Sequence, residues 1–238
     1  LILILYYSAE IIWRERSLGF EQISGTSPTR KNTLFLSKLT AISSLPVVMI
    51  SIAILISLGF QLFLGFTGIQ PQLYFLVFYH YGVQLLVFAM ISFFIHSWAK
   101  TKYQGMIIMG LFIVLSLKSD LIGLEHPLTS IGFLPRIEYS NMDGFYSISN
   151  LYDHLSLYWI CLGSILVLLS FKIQHAQMKW SRTQKSLLVI FLSGFLGAGA
   201  LVIYNNNILN PYQTIAQQND QKEQYEKKYK AYEDLERP

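Results

Sequence analysis

Charge is what this sequence has least of. Only 13% of its 238 residues are Asp, Glu, Lys or Arg, against 53% hydrophobic and 15% aromatic. Soluble domains carry about 25% charged residues, so the composition excludes an ordinary water-exposed surface and fits a membrane protein. Cysteine is nearly absent as well. Cys161 stands alone in a hydrophobic run, which excludes an intrachain disulfide framework and a thiolate metal site and leaves the thiol lipid-facing or packed. No Gly-x-x-x-x-Gly-Lys-[Ser/Thr] string occurs, so ATP is not held here in the usual phosphate loop. No His-Glu-x-x-His string occurs, so the helix of a zinc hydrolase is missing too. No cofactor is expected. The chain opens at Leu1 inside an apolar run, without Met or a basic leader, the pattern of a clipped fragment rather than of a signal peptide. The net charge of +4 does not point to nucleic acid, because the basic residues sit in connections beside apolar runs, where membrane orientation accounts for them.

The apolar runs set the span count. Between Lys38 and Lys100 lie 61 residues without Asp, Glu, Lys or Arg, room for two spans of about 20 residues each. Gly65, Gly68 and Pro71 mark the turn between them, giving spans at 39–64, with Pro46 a candidate kink, and 73–98. Trp98 and Tyr103 suit an interfacial belt. The run from Gly105 to Leu117 is short for a crossing; it is read as a span with Lys118 snorkelling, followed by a re-entrant piece over 118–123. Two more spans follow at 155–171 and 186–204. Gly194, Gly197 and Gly199 on the latter offer a small face for close helix contact.

Counting Lys and Arg orients the bundle. Connections 10–38, 99–104 and 172–185 hold five, two and four, whereas 67–72 and 118–154 hold none and two. The positive-inside rule then makes the first set cytoplasmic and puts the 118–154 loop and the tail after Tyr204 on the far side.

One polar stretch interrupts this pattern near the start. Leu1 to Ala9 reads as the tail of a span, and Glu10 to Lys38 reads as a loop on the membrane face. A short helix over Arg16 to Ser24 would put Leu18, Phe20 and Ile23 on one side, leaving Arg14, Glu15, Arg16 and Glu21 for water or a partner. Gly25 would end it. Ser27 as cap and Pro28 as first residue would start the helix that runs into the next span. Glu10, the Trp13-Arg14-Glu15-Arg16 run, Glu21, Thr26 with Pro28, and Ser37-Lys38 resemble the loop between the second and third spans of type-two ABC transporter permeases. The resemblance implies a coupling helix seated on an ATPase, carried here by Arg14, Glu15, Arg16, Glu21 and Pro28. The plainer alternative is a loop whose basic residues serve topology alone.

The later segments sharpen the resemblance. Gly123-Leu124-Glu125-His126-Pro127, Tyr139-Ser140-Asn141-Met142-Asp143-Gly144, Tyr158-Trp159, the Asn205 to Asn210 run and Tyr225-Glu226-Lys227-Lys228-Tyr229 resemble permeases fused to a zinc aminopeptidase. The junction after the last span is the most specific part, while the family's early spans and the peptidase are missing. The tail also has its own pattern. Glu223 precedes Lys227, and Glu226 precedes Lys230, by four residues, and Tyr225, Tyr229 and Tyr232 share a stripe, as expected of an exposed salt-bridged stalk helix over 220–236.

Histidines are the remaining candidates. His80, between Tyr79 and Tyr81 inside a span, is a candidate for lining a substrate path; a hydrogen-bonded interhelical histidine is the plainer and preferred reading. Glu125-His126 and Asp153-His154 are adjacent pairs that do not converge on a metal without further ligands. His96 and His175 flank cytoplasmic connections and need no special role.

The expected molecule is thus an all-α polytopic membrane bundle with five full spans, the end of a clipped one and an exposed C-terminal helix. Residues 1–204 form the permease domain and 205–238 an extracytoplasmic stalk. By resemblance it is no enzyme in itself, lies in the bacterial inner membrane among lipid, and partners a cytosolic ABC ATPase subunit and a second permease copy or homologue. The alternative is a membrane anchor for the fused aminopeptidase. A secondary transporter is disfavoured by the scarcity of membrane acids and the lack of an internal repeat.

Overall fold

In the computed structural model, residues 1–19, 31–66, 68–118, 126–129, 134, 149–205 and 215–230 are described. Among them are seven helices and no strand: α1 (Ile2–Ser17), α2 (Lys31–Phe63), α3 (Pro71–Trp98), α4 (Lys102–Leu117), α5 (Ser149–Gln174), α6 (Arg182–Ile203) and α7 (Ile215–Tyr229). Four of them, α2, α3, α5 and α6, are long and apolar enough to cross a membrane. The protein is an integral membrane helix bundle, and its described residues hold four such spans where the sequence reading expected five. The difference lies at α4, whose 16 residues reach about 24 Å at 1.5 Å per residue, short of a hydrocarbon core of about 30 Å. Residues 119–123, the proposed re-entrant piece, lie outside the described residues.

The helix ends follow local chemistry. α2 runs through Pro46 without dividing and stops at Gly65, whose φ of 76° only glycine adopts cheaply. There Gly65 N–H donates to Leu62 O at 3.0 Å and Phe66 N–H to Gln61 O at 3.0 Å, the bond pair of a Schellman stop. Pro71 opens α3 at a position that needs no N–H. Thr101 caps α4, and Ser181 caps α6 in a reciprocal box with Gln184.

α3 is the helix the others pack on, touching α1, α2, α4 and α5. One side of it supplies Phe88, Ile91 and Ile95 to a core shared with Met109 and Ile113 of α4 and Tyr152, Leu155 and Trp159 of α5. The other supplies Ala89 and Phe93 to a core with Ile4 and Ile12 of α1, Phe35 and Ile42 of α2, and Phe171 of α5. Phe35 meets Phe93 and Phe171 edge-on at 5.2 and 5.1 Å, the geometry aromatic quadrupoles favour. α6 packs on α5 through small residues. A Cβ on Gly194 would lie 2.8 Å from Cys161 Sγ, and one on Gly199 would lie 3.4 Å from the Tyr158 ring. Gly197 has nothing within 4 Å, so two of the three expected glycines form the contact. Cys161 is buried, which selects packing over lipid exposure.

The tail helix begins earlier than its charge pattern alone indicates, at Ile215. The Glu223–Lys227 pair forms at 2.5 Å, and the Tyr225 and Tyr229 rings lie 4.4 Å apart. Tyr232 lies outside the described residues.

Candidate functional site: the charged end of the bundle

The connections rich in Lys and Arg meet at one end of the bundle. α1 does not stop at Ala9; it continues through Glu10 and the Trp13 to Arg16 run to Ser17. Arg16 and Ser17 thus close α1 rather than open a separate helix: Leu18 caps α1, and Gly19 follows with a φ of 69°, while residues 20–24 of the expected helix lie outside the described residues. The stop comes at Gly19 because glycine there can turn left-handed and donate to Arg16 O at 3.3 Å. Glu21, Gly25, Ser27 and Pro28 lie outside the described residues, so their part in a coupling element rests on the sequence.

Continuing α1 carries its acids onto its neighbours. Lys38 Nζ of α2 donates to Glu15 Oε2 at 2.6 Å, and Lys102 Nζ of α4 donates to Glu10 Oε1. Glu15 is thus held against the bundle instead of being left for water, because helical extension swings it over the first turns of α2. Arg14 and Arg16 remain on the exposed side in the last turn, where cations complement the helix dipole. The Arg16 guanidinium lies 4.9 Å from the centre of the Trp13 ring, within cation–π range. Between α1 and α2, Ile11, Arg14, Glu15, Ser37 and Lys38 help line an open cavity of about 470 Å³.

Two histidines border this end. His175 follows α5, stacks on Phe171 at 4.8 Å and lies 3.2 Å from Phe171 O through Nδ1. Burial lowers its pKa from the usual 6.5, and Lys31 and Lys38 push the same way, against the Phe171 carbonyl. A base depressed in the folded state favours its neutral form there. Its contribution to stability is therefore complete above pH 6.5 and lost as pH falls towards the lowered folded value. Melting of the detergent-solubilised protein between pH 8 and 5 is expected to show a smaller acid-side loss in His175→Gln than in wild type. Equal losses would remove His175 as the source.

His96 was assigned no role from sequence. It is fully buried in the last turn of α3, with the backbone of Gly105 in α4 against its ring. Below it, the Ser8 hydroxyl of α1 bonds both Ile4 O, at 2.6 Å, and Ser92 Oγ of α3. Gln174 Nε2 of α5 donates to Ser97 Oγ at 2.8 Å. These bonds close polar groups between helices where lipid offers no partner. No periodicity signal marks them; the nearest hint was Gly105 itself.

At the opposite end, His80 is buried and its ring meets Tyr152 edge-on at 4.5 Å. The Tyr152 hydroxyl donates to His80 O at 2.5 Å. Tyr79 donates to Asp153 Oδ1 at 2.8 Å and lies 3.3 Å from Ser156 Oγ. This is an α3–α5 lock to which His80 contributes its backbone carbonyl and a ring packed on Tyr152. Asp153, whose pairing with His154 the sequence did not support as a metal site, here accepts from a tyrosine. Among the described residues no group of three His, Cys, Asp or Glu side chains could hold a metal ion. Glu125 lies outside them, and His126 Nδ1 accepts from Leu128 N–H at 3.2 Å. Comparison with protein-family models, curated proteins and solved structures finds no match for this chain.

Proposed function

We propose that the chain is the permease of an ATP-driven ABC exporter of the type-two class, seated in the bacterial inner membrane. In this reading it partners a cytosolic ATPase subunit and a second permease copy or homologue, with the stalk on the far side. The observation that carries it is the construction of the charged end. α1 leads from the two membrane cores to an exposed Arg14–Arg16 turn, and the Glu15–Lys38 and Glu10–Lys102 pairs tie that turn to α2 and α4. A push on the turn is thereby delivered to three helices at once, which a coupling element needs and a purely topogenic loop does not. ATP hydrolysis belongs to the partner, and no bond-making chemistry occurs in this chain. The competing reading, a membrane anchor for an aminopeptidase, draws on α7, exposed over residues 217–229 and salt-bridged, which suits a stalk under either reading.

The test reverses charge where it is exposed. Arg14→Glu with Arg16→Glu is expected to abolish co-purification of a phosphate-loop ATPase and its ATP hydrolysis, since like charges across an interface are strongly disfavoured. The melting temperature of the permease should move little, because surface ion contacts contribute about 0 to 1 kcal/mol. Wild-type co-purification and hydrolysis in the double variant would leave the anchor as the better reading.

A further inference from the structure

The cavity between α1 and α2 at the charged end has two unlike halves. α1 ends there and α2 begins there, so Ile11 and Ala41 each lie three residues, about 4.5 Å of helix rise, nearer the membrane interior than Arg14 and Lys38. Ile11 and Ala41 make the inner half aliphatic, Arg14 and Lys38 make the outer half cationic, and Leu18 stands at the outer lip. Ser37 and Ala41, one turn apart on α2, are small and exposed, which leaves about 470 Å³ open between the helices. Sites for small ligands have about 300 to 1,000 Å³.

The charges around this cavity do not cancel. Glu15 also lines it, but its carboxylate accepts from Lys38 at 2.6 Å. The Ser37 hydroxyl donates to Leu34 O at 2.8 Å and so has no proton for a ligand. Arg14 is exposed and takes no part in the ion pairs of the described residues. Its positive charge is the surplus. Arg16 does not share this wall: residues two apart on a helix face different ways, and its guanidinium lies over the Trp13 ring.

We propose that this cavity binds one anionic phospholipid, with its phosphate against the Arg14 guanidinium and beside the Lys38 ammonium, and its first acyl methylenes over Ile11 and Ala41. Lys38 is the last charged residue before 61 uncharged ones, so this is the level at which α2 leaves hydrocarbon for water. A lipid phosphate stands at that level, and the planar fork of an arginine matches it. A free phosphate would leave the aliphatic half open to water, and a fatty chain alone would leave the guanidinium without a counter-ion. Of the ligands a membrane surface offers, an anionic phospholipid fills both halves. The proposal needs α1 and α2 at a membrane surface and stands apart from ATPase coupling.

The experiment titrates the delipidated full chain in dodecyl maltoside with dioleoylphosphatidylglycerol and, separately, with dioleoylphosphatidylcholine, read by native mass spectrometry. The acyl chains are the same, so the difference reports headgroup charge. Wild type is expected to hold one saturable phosphatidylglycerol adduct about tenfold tighter than phosphatidylcholine, a difference of about 1.4 kcal/mol. Arg14→Gln should erase that preference, and Arg16→Gln should keep it. Ala41→Phe, which fills the aliphatic half from an exposed position, should weaken both lipids without lowering the melting temperature in lipid-free detergent. Should Arg14→Gln fail to fold, Arg14→Met replaces it with the same expectation. Equal affinities in wild type, or an undiminished preference in the folded Arg14 variant, would overturn the proposal. So would displacement of the adduct by inorganic phosphate alone, or an equal loss in Arg16→Gln, the mark of diffuse surface charge.

Discussion

Gly105→Ala is expected to unseat α4 from the bundle. A Cβ at this position would lie 2.3 Å from His96 Nδ1, 2.9 Å from His96 Cε1 and 3.3 Å from Ala99 Cβ. Relief by rotating a side chain is closed off, because His96 is fully buried and Ala99 is nearly so. Overpacking of a filled interior costs about 1 to 3 kcal/mol, and this contact is at the severe end because the ring meets it with two atoms. α4 is also short, with 16 residues, and its first turn carries Lys102, the partner of Glu10. Displacing it should therefore break that ion pair as well. The measurement is thermal melting of the solubilised protein together with protease sensitivity near Thr101. A second variant isolates the cause: His96→Ala removes the ring, and Gly105→Ala should then cost far less in the His96→Ala background than alone. Additive costs would mean that the clash with His96 is not what makes glycine necessary.

Labelling across the membrane should be all or none. With Cys161→Ala to remove background, Asn141→Cys is expected to react with an impermeant thiol reagent added outside intact cells, and Asn32→Cys only after permeabilisation. The expectation comes from the eleven Lys and Arg in connections 10–38, 99–104 and 172–185 against two in the alternate ones. The fold adds a physical consistency: Lys38, Lys102 and the Gln174–His175 corner lie at one end of the bundle. Asn32 is exposed in the first turn of α2, so its protection in intact cells would reflect the membrane barrier and not burial in the protein. The reverse pattern would place Arg14 and Arg16 outside the cell, away from ATP, and end the coupling reading.

Much of the helical frame was legible because a span depends on local properties: enough apolar residues in a row and no charge to hydrate. On that basis 39–64, 73–98, 155–171 and 186–204 each fall on a helix long and apolar enough to cross a membrane, and each helix begins two to eight residues earlier. Gly65 marked its turn because a positive φ selects glycine whatever surrounds it. Glu223 and Lys227 marked a helix because their spacing is the helix's own. The same local reasoning misjudged α1, where charge at Glu10 was taken to end a helix that in fact continues to Ser17. Charge ends a span by its cost in hydrocarbon; it does not end a helix, whose backbone bonds are indifferent to it.

What only the tertiary structure decided is which residues face one another. In a soluble helix the buried face is the apolar one, but in lipid both faces are apolar, so the sequence of α3 carries no sign of the two cores it joins. Glu15 and Lys38 are 23 residues apart, and Glu10 and Lys102 are 92 apart. Nothing in the intervening sequence ties one to the other until α1, α2 and α4 are packed. His96 looked like a residue beside a connection and became the fully buried wedge against Gly105. Composition and spacing determined that this chain forms membrane helices and where most of them lie. Packing between distant segments determined where its few charges go, because a charge near lipid is stable only beside a partner that the fold itself must bring.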